Sequence, residues 1–553
     1  MKPISIIHAD GISPAGWTVP DAMDTLYAAR QNFMIPPHFN YKNLLLGVIE
    51  NLLPKEGESR ATALMKAICE RLPKLPENTH LYVATTVGAI DVLENAKDDD
   101  VPDCAQITLD DAIRLTGCKH AVLVSAACAS GQTAVAMASR ALSLGQCEYA
   151  LIIGIDISSR FVTSGFSSLR AYAKGIPHPY DAHRDGMLLG EGTGALLLTT
   201  QPHCNSLGTI LAAHESCDAS HITAPDVSGV SLANLINKTM AELNISPEDI
   251  GGIIGHGTGT LFNDASELAA INKTFPLPTP LISIKGITGH TLGATGVLQI
   301  VYGLEFLKRR EMPPQAGLET PDDMAKPYLS KTSQPIRSNK LLTLNVGFGG
   351  INSTIVFTNN TVPTTSIPTT AASSFELISS ATVSLKTNTA VYGDKSIDFE
   401  NLVDLKQKIT DVPEFVQGDL ADFRRAADTV RLSQLAALLC ASSVPNWSAE
   451  NTALIGFNGD GCKHNNKAYW EDVVAHNYDN GRATLFVPTL PSIPVCETAI
   501  TLGIKGPVRY LRTQSEEDVQ RHLHNIFAFD ASLKQIMTAE ITQDTAVVRL
   551  YKR

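Results

Sequence analysis

The chain has 553 residues, of which 44% are hydrophobic and 18% charged, so it can bury a large core and is too long for one ordinary domain. Its formal net charge of -12 argues against a nucleic-acid surface, because phosphate binding needs a local excess of Lys and Arg. The ten cysteines include no CxxC pair, which argues against a disulfide framework and indicates reduced thiols. The apolar run Ile4 to Ile7 is too short for a signal peptide, and we expect a cytoplasmic protein.

Short β-rich apolar runs alternate with helical patterns through the first two thirds of the chain, which is typical of α/β layers. One helix is predicted to end near Gly145 and a second to run from about Leu292 to Arg309. The best strand candidates are Val122 to Val124, Ala150 to Ile155, Ala195 to Leu198, Ile253 to Ile254, Leu281 to Ile284, Leu341 to Val346 and Thr354 to Phe357.

One apolar stretch is about as long as a membrane span. Ala121 to Ser139 contains no charged residue, but Ser125, Gly131 and Gln132 interrupt it. We interpret it as a buried strand that runs into a buried helix, and we expect no membrane span.

The composition changes after Phe357. Thr, Pro, Asn and Ser dominate there, which predicts a linker over residues 359–374. Beyond it, a helical stretch from Asp419 to Ala441 and strand-like runs at Ala453 to Phe457 and Val547 to Tyr551 indicate a further globular part, placed at residues 375–553.

Cys128 lies in the first of four segments that contain candidate active-site residues. A strand ends at Val124, and small residues around the cysteine lead directly into a helix. A thiol at that junction lies near the positive end of a helix dipole and unpaired backbone N–H groups, which favour thiolate. Taken alone, an isolated cysteine among alanines is more often a packed core residue.

The other three segments are glycine-rich turns that follow strands. His256 lies between glycines in Gly255–Thr260, and His290 lies in Ser283–Ala294, which also contains Lys285. Glycines on both sides of a histidine suit close backbone approach and ligand access. In Asn345–Asn352, a backbone N–H can face a developing oxyanion.

Together, in this order and spacing, the four segments resemble the β-ketoacyl-ACP synthases of the elongating Cys-His-His type, in the thiolase superfamily. The resemblance covers roughly residues 3 to 358. It implies an α/β fold with thiolase-like αβαβα layers, made of one half with the nucleophile at residues 1–200 and one with both histidines at residues 201–358. It extends to Pro179–Asp181, Arg184–Gly186, Gly190–Gly192, Asp264 and Glu267.

The resemblance implies a β-ketoacyl synthase, an acyltransferase that catalyses decarboxylative Claisen condensation. Cys128 would carry the acyl group, and a malonyl thioester on acyl carrier protein would lose CO2 to give β-ketoacyl-ACP in fatty acid, polyene or polyketide biosynthesis. His256 and His290 would donate Nε2–H bonds to the extender thioester oxygen. Lys285 would supply positive charge, and Phe348 would gate the acyl pocket.

The remaining implications concern the oxyanion, the substrate and the partners. The backbone N–H groups of Cys128 and Phe348 would form the oxyanion hole, and Thr258, Thr260 and Gly349 would bind substrate. No metal or other cofactor is needed, because carboxylate loss provides the driving force. The expected partners are acyl carrier protein and a second ketosynthase-like subunit, in a homodimer or heterodimer.

The chain departs from the family pattern in three ways. The family usually has Glu nine residues after the second histidine, where this chain has Gln299. The stretch before Cys128 is also shorter than in ordinary elongating synthases. Finally, residues 486–491 and 499–508 resemble the approach to a family nucleophile, but residues 512–517 contain no cysteine. We therefore hypothesise that residues 375–553 form a degenerate, nucleophile-less thiolase-like half domain, for structure or dimerisation, against an unrelated α/β module as the alternative.

Two other functions compete with the synthase. The chain could be a non-catalytic partner of another ketosynthase, as chain-length factors are, or an acyltransferase or thioester hydrolase on the thiolase fold. A kinase is rejected because no Gly-rich loop precedes His183–Asp185. A metal site at Cys462–His464 lacks a ligand set at zinc spacing.

Overall fold

The structure is a computed structural model that describes residues 1–97, 100–201, 205–362, 374–445, 447–478 and 481–553. Most of the predicted linker, residues 363–373, lies outside the described residues. The linker residues before this gap include Asn360. The Asn360 carbonyl accepts from the Thr209 hydroxyl at 2.7 Å, which anchors them to the strand Gly208–Cys217.

The first half of the chain forms a mixed five-stranded sheet in the order β1–β7–β6–β4–β5. Its first two pairings are antiparallel and the next two parallel. The strands are β1 (Ile4–Ile12), β2 (Phe33–Met34), β3 (Leu46–Gly47), β4 (Thr79–Ala84), β5 (His120–Ser125), β6 (Tyr149–Asp156) and β7 (Gly192–Thr199). The helices are α1 (Val19–Tyr27), α2 (Arg60–Cys69), α3 (Asp91–Glu94), α4 (Cys104–Thr116), α5 (Ser130–Ser143) and α6 (Arg160–Ser168).

The second half forms a sheet in the order β8–β14–β13–β9–β10, which meets the first sheet where β8 pairs with β1. Its strands, with the small β11–β12 pair, are β8 (Gly208–Cys217), β9 (Gly252–Ile254), β10 (Leu281–Ile282), β11 (Glu311–Met312), β12 (Gln334–Pro335), β13 (Lys340–Gly347) and β14 (Ile351–Thr358). Its helices are α7 (Val230–Glu242), α8 (Leu261–Thr274), α9 (Lys285–Thr288) and α10 (Thr295–Arg309), with 3-10 turns at Pro247–Asp249 and Leu292–Ala294.

Helices α5 and α10 form the central layer between the two sheets. Every residue of α5 is buried, and its apolar side chains share one core with α10 and with both sheets. Helices α2 and α4 cover the other face of the first sheet, and α7 and α8 cover that of the second. The predicted layered α/β arrangement is therefore confirmed, and the uncharged stretch around Cys128 is strand β5 followed by helix α5.

Among the described residues, a single helix long and apolar enough to cross a membrane is not found. One pair, Ala483–Thr489 and Ile493–Leu502, meets the length and composition criteria only as two helices bent by 98°.

The C-terminal part repeats the strand plan of the first half. Its sheet runs β15–β21–β20–β18–β19, again with two antiparallel pairings followed by two parallel ones. Its strands are β15 (Glu376–Ser384), β16 (Thr389–Tyr392), β17 (Lys395–Asp398), β18 (Thr452–Phe457), β19 (Val508–Thr513), β20 (Gln535–Ile541) and β21 (Thr545–Lys552). Its helices are α11 (Leu402–Thr410), α12 (Asp428–Ser442), α13 (Lys463–Ala475), α14 (Ala483–Phe486), α15 (Ile493–Leu502) and α16 (Glu516–Phe529), with a 3-10 turn at Val487–Thr489.

The predicted start of the helix over Asp419 to Ala441 is wrong, because α12 begins only at Asp428. Residues 421–426 form turns instead. The Arg431 side chain donates to the carbonyls of Phe423 and Arg424, which satisfies backbone acceptors that a helix would have used.

Strand β5, which precedes Cys128, pairs antiparallel with β19 of the C-terminal part. Ser125 lies opposite Tyr510, and Val122 lies opposite Thr513. Helix α16 then joins the central core beside α5. The C-terminal part therefore lies edge to edge with the first half, so that two similar sheets meet about a local two-fold axis.

The turn that carries Cys128 has no counterpart in the C-terminal part. Residues Ala126–Ala129 separate β5 from α5, whereas only Gln514 and Ser515 separate β19 from α16. The Ser515 hydroxyl accepts from the Asp518 N–H at 3.2 Å and caps α16. The connection between β19 and α16 therefore carries no cysteine at the place that Cys128 takes between β5 and α5.

A buried cluster of charges joins the three parts. Glu215 on β8 accepts from Arg140 of α5 at 2.6 Å and from Arg509 of β19 at 2.8 and 2.9 Å. Burial alone would raise the pKa of Glu215, but the two guanidinium groups hold it below its usual value. One carboxylate therefore neutralises cations from two other regions of the chain.

Removing this carboxylate should destabilise the whole assembly. We expect Glu215→Ala to lower the free energy of unfolding by about 3–5 kcal/mol, because it leaves two buried guanidinium groups without an anion. The matched control is Asp404→Ala, which removes the exposed helical pair with Lys408 and should lower the free energy of unfolding far less. Denaturant unfolding measures both, and equal losses would contradict the structural role of Glu215.

Candidate active site

Cys128 lies in a tight turn between β5 and α5. The preceding Ala127 has a φ of 48°, a left-handed conformation that costs a non-glycine residue about 1–2 kcal/mol. The Ser130 hydroxyl stabilises the turn by donating to the Ala127 carbonyl at 2.6 Å and accepting from the Ala126 N–H at 2.9 Å. The turn thus holds the cysteine in one position at the start of a buried helix.

The thiol of Cys128 is more basic than the sequence suggested. Burial raises its pKa to about 12, while the charge of Lys285 and the backbone N–H groups of Cys128 and Phe348 act in the opposite direction. We expected the helix dipole to favour the thiolate. Burial outweighs the dipole and favours the protonated thiol. Both N–H groups act on the sulfur, and their predicted oxyanion-hole role stays a prediction.

The histidine turn, Gly255–Gly257, has all its backbone hydrogen-bonding groups satisfied. Glu267 accepts from the N–H groups of His256 at 2.5 Å and Gly257 at 2.8 Å, and the Ile282 carbonyl accepts from the N–H of Gly255 at 2.8 Å. The Gly255 carbonyl accepts from the Gln299 amide at 2.9 Å. The His256 carbonyl accepts from the Lys285 ammonium, and the Gly257 carbonyl accepts from the Ser283 hydroxyl at 2.6 Å. A turn held this completely delivers the His256 ring at a defined position.

His290 is held in a turn between α9 and α10. Its Nδ1 accepts from the Leu292 N–H at 3.2 Å, and Leu292 has a left-handed φ of 50°. Gly131 lets the first turn of α5 approach this segment, because a Cβ there would lie 2.8 Å from the Gly293 carbonyl oxygen. Helix α5, which follows Cys128, and the His290 turn therefore lie in direct contact.

The rings of His256 and His290 lie with their centroids 5.3 Å apart at an interplanar angle of 88°. Lys285 Nζ lies 3.3 Å from Nδ1 of His256, so each histidine has a donor at Nδ1 and carries its proton on Nε2. Burial and the charge of Lys285 hold the pKa of both rings well below the usual value. Both imidazoles are therefore neutral N–H donors near pH 7.

These groups share one cavity of about 410 Å³. Cys128, His256, His290 and Phe348 all line it, and its polar wall includes Thr258 and Thr260. The Thr258 and Thr260 hydroxyls lie 2.9 Å apart, and Asp264 accepts from the Thr258 N–H at 2.9 Å. The sequence-predicted Cys128, the two histidines, both threonines and Phe348 are thus brought together.

Lys285 and Gly349 lie at the periphery of this arrangement. Burial lowers the pKa of Lys285, which contacts the site through the backbone and ring of His256. Gly349 is absent from the cavity lining among the described residues. Its N–H donates to the Ile222 carbonyl at 2.6 Å, and a Cβ on it would lie 2.3 Å from the sulfur of Cys496. Gly349 thus allows the loop that follows Phe348 to pack on the C-terminal part.

The C-terminal part also closes the space behind Cys128. Phe166 stacks on Phe348 with centroids 5.7 Å apart and packs against Phe486 of α14 at 5.5 Å. Leu490 also lines this space, whose volume is only about 10 Å³. Since one water needs roughly 10–15 Å³, anything larger than a water molecule enters this space only if a lining side chain moves.

Sequence reasoning missed several residues that position the site. Asp156 ends the apolar strand β6 and accepts from the N–H groups of Gly293 at 2.7 Å and Thr86 at 3.0 Å. Tyr180 and Glu267, in contrast, belong to segments that the resemblance included, and the Tyr180 hydroxyl donates to Glu267 at 2.9 Å. A carboxylate that ends a wholly apolar strand is a signal that could have identified Asp156, whereas nothing local marked Phe486.

Among the described residues, three or more His, Cys, Asp or Glu side chains do not converge on a position that could hold a metal ion.

Comparisons with known proteins identify the region around this cavity. Residues 112–203 match the family model of the β-ketoacyl synthase N-terminal domain, and residues 207–319 match that of the C-terminal domain. Residues 112–319 are therefore similar to the β-ketoacyl synthase family. The two models together cover β5, Cys128 and both histidines.

Curated proteins similar to this region carry β-ketoacyl synthase or 3-oxoacyl synthase names. A Streptomyces cyaneus protein named as a polyketide β-ketoacyl synthase is 32% identical over 255 residues, which cover 42% of this chain and 60% of the relative. The 3-oxoacyl-[acyl-carrier-protein] synthase 2 of Mycobacterium leprae is 30% identical over 246 residues, covering 42% and 59%. The chain thus spans about 60% of the length of the curated relatives it matches.

Solved structures extend the similarity to the C-terminal part. The keto synthase-chain length factor PfaC matches with a TM-score of 0.80 and 14% identity, covering 100% of this chain and 78% of that one. The Xenorhabdus doucetiae ketosynthase ApeO, solved in complex with its chain length factor, matches with a TM-score of 0.56 and 25% identity over 65% of this chain and 98% of its own. The thiolase-like fold, with its C-terminal half domain, is confirmed.

The lysine beside the site should control the reactivity of the thiol. We expect Lys285→Met to slow alkylation of Cys128 by iodoacetamide at pH 7, because losing the nearby cation raises the thiol pKa and each unit lowers the thiolate fraction about ten-fold. The measurement is mass-spectrometric quantification of the Cys128 peptide over time. Lys308→Met, at the exposed end of α10, is the control, and an unchanged or faster rate in Lys285→Met would refute the electrostatic role.

Proposed function

We propose that the chain is a β-ketoacyl synthase that condenses an acyl group on Cys128 with a malonyl thioester carried by acyl carrier protein. The products are β-ketoacyl-ACP and CO2, in fatty acid, polyene or polyketide biosynthesis. One observation carries the proposal: a buried thiol and two neutral imidazoles, each with its proton on Nε2, face the same cavity.

Loading begins when the sulfur of Cys128 attacks the carbonyl of the incoming acyl thioester. The charge of Lys285 favours loss of the thiol proton, and that proton leaves with the departing carrier thiol. The tetrahedral oxyanion is held by the N–H groups of Cys128 and Phe348, which already face the sulfur. The product is the acyl-Cys128 thioester.

Decarboxylation follows when the malonyl thioester binds beside the acyl group. The bond to the carboxylate breaks, CO2 leaves, and the electron pair becomes an enolate whose oxygen accepts from Nε2–H of His256 and His290. The low pKa of both rings keeps them neutral, so they donate these bonds without giving up a proton. Burial of the rings strengthens the bonds.

Condensation completes the cycle. The enolate carbon attacks the acyl carbonyl on Cys128, and the same two backbone N–H groups hold the second oxyanion. The carbon–sulfur bond then breaks, the sulfur leaves as thiolate, and it regains a proton from solvent. The new carbon–carbon bond stays with the carrier-bound chain.

We assign the C-terminal part a structural role as a built-in partner. Domains at residues 1–200, 201–358 and 375–553, with a linker at 359–374, are supported by the repeated strand order and by the β5–β19 pairing. That pairing uses the β5 edge within the chain, so the second ketosynthase-like subunit expected from the sequence is supplied internally. Further association with other chains, and the cytoplasmic location, stay predictions.

The presence of Cys128, His256 and His290 in one cavity supports a catalytic chain over a non-catalytic partner, because such a partner has no chemical need for these groups. An assay of acyl loading and CO2 release separates the remaining alternatives. Acyl loading without CO2 release would indicate an acyltransferase or thioester hydrolase, and neither activity would indicate a non-catalytic partner.

Substitutions of Cys128 and His290 should affect two different steps of the reaction. Cys128→Ala should abolish covalent acyl loading, whereas His290→Ala should still load while CO2 release from malonyl-ACP falls by roughly 10²–10³-fold, as for the loss of one oxyanion donor. Mass spectrometry of the intact protein and release of labelled CO2 measure the two steps. A covalent acyl adduct on Cys128→Ala would show that the nucleophile is misassigned.

The C-terminal part should set the length of the acyl chain. We expect Phe486→Ala to shift loading toward longer acyl groups, because removing this ring opens the space behind Cys128. Competition among acyl thioesters of different length, read by intact mass, measures the shift.

Phe423→Ala is the matched control for that experiment. Phe423 is as buried as Phe486 but lies in the core of the C-terminal part, away from the cavity. Both substitutions should cost about 3–5 kcal/mol of stability. An unchanged length preference in Phe486→Ala, or the same shift in Phe423→Ala, would contradict the role of Phe486.

A further inference from the structure

Gln299 of α10 uses the full hydrogen-bonding capacity of its buried amide. Its Nε2 donates to the carbonyl of Gly255 at 2.9 Å and to that of Leu344 at 3.3 Å. Its Oε1 accepts from the side-chain amides of Gln132 at 2.9 Å and Asn345 at 2.5 Å. The side chain is completely buried, so solvent replaces none of these partners.

The orientation of this amide is determined by its surroundings. The carbonyls of Gly255 and Leu344 can only accept, so the nitrogen of Gln299 must face them. Its oxygen therefore faces the amide nitrogens of Gln132 and Asn345. A carboxylate of the same shape accepts only, and it would face two carbonyl oxygens that then have no donor from this side chain.

The amide joins the three segments that build the cavity. Gly255 immediately precedes His256, Gln132 lies on the helix that follows Cys128, and Asn345 lies on the strand that leads to Phe348. Gly296, one helical turn from Gln299, lets α10 approach α5, because a Cβ there would lie 2.6 Å from the Gln132 nitrogen. A shift of Gln299 would therefore move the histidine turn relative to the nucleophile.

We propose that Gln299 is a positioning residue that acts through the Gly255 carbonyl to hold His256 against the nucleophile helix, and that this chain needs a neutral amide there in place of the carboxylate. The proposal rests on the proposed condensation and assigns Gln299 to its decarboxylation step. Acyl loading uses Cys128 and the two backbone N–H groups, so it depends less on this contact.

The substitution Gln299→Glu tests the need for neutrality. At high pH the buried carboxylate lacks donors for Gly255 and Leu344, and CO2 release should fall by about 10²-fold, the effect of a misplacement near 1 Å. At lower pH the side chain takes up a proton, regains one donor and becomes neutral. Activity of Gln299→Glu should therefore recover as the pH falls, through an ionisation that the native enzyme lacks.

Gln299→Met removes all four hydrogen bonds without adding charge. It should lower CO2 release at every pH, with acyl loading within ~3-fold of the native protein and no new ionisation, as expected when only positioning is lost. The matched control is Gln434→Glu, a buried glutamine of α12 that donates to the Thr501 hydroxyl at 2.9 Å in the C-terminal core. Gln434→Glu should lose stability but keep the native pH profile.

Loading and CO2 release are measured for the full-length native chain and the three variants across the pH range, with thermal unfolding of each. A native pH profile and rate in Gln299→Glu would overturn the proposal, as would equal losses of loading and CO2 release in Gln299→Met. If Gln299→Glu does not fold, Gln299→Met decides alone by its ratio of CO2 release to loading. A native chain inert in both assays would instead refute the proposed function.

Discussion

The antiparallel pairing of β5 with β19 is the constraint on which the rest of the structure depends. Strand β5 precedes the nucleophile, and an exposed edge there would leave its backbone groups unpaired. With β19 in place, α16 packs beside α5, and the Phe486 and Gly349–Cys496 contacts follow. One chain thereby completes both the sheet and the wall of the space behind Cys128.

Burial determines the chemistry of the site. It raises the pKa of the Cys128 thiol and, with the charge of Lys285, lowers that of both imidazoles, so the resting site holds a thiol and two neutral N–H donors. Most of the surrounding polar side chains form hydrogen bonds with backbone groups. Glu267, Ser283 and Gln299 bind the turn of His256. Asp156 binds the segment that follows His290. The polar network thus positions the two turns, and Cys128, His256 and His290 are left facing the cavity.

The chemical groups could be predicted from sequence because each lies just after a strand, in a turn of small residues or glycines, where local pattern decides the conformation. Cys128, His256 and His290 are of this kind. Phe486 could not be found this way, since its contact with Phe166 joins distant parts of the chain and carries no local signal. The basicity of Cys128 was also missed, because the degree of burial depends on long-range packing that overrides the helix dipole. The start of α12 was missed because the Arg431 side chain stabilises turns where the pattern favoured helix.

The central claim is that a single chain contains a complete site, closed by its own C-terminal part. The most direct measurement is acyl loading per chain, by intact mass, over a wide dilution series of the full-length protein. The account predicts that the fraction loaded on Cys128 stays constant as the protein is diluted. A fraction that falls on dilution and returns on concentration would mean that the site needs a second chain, and would contradict the account.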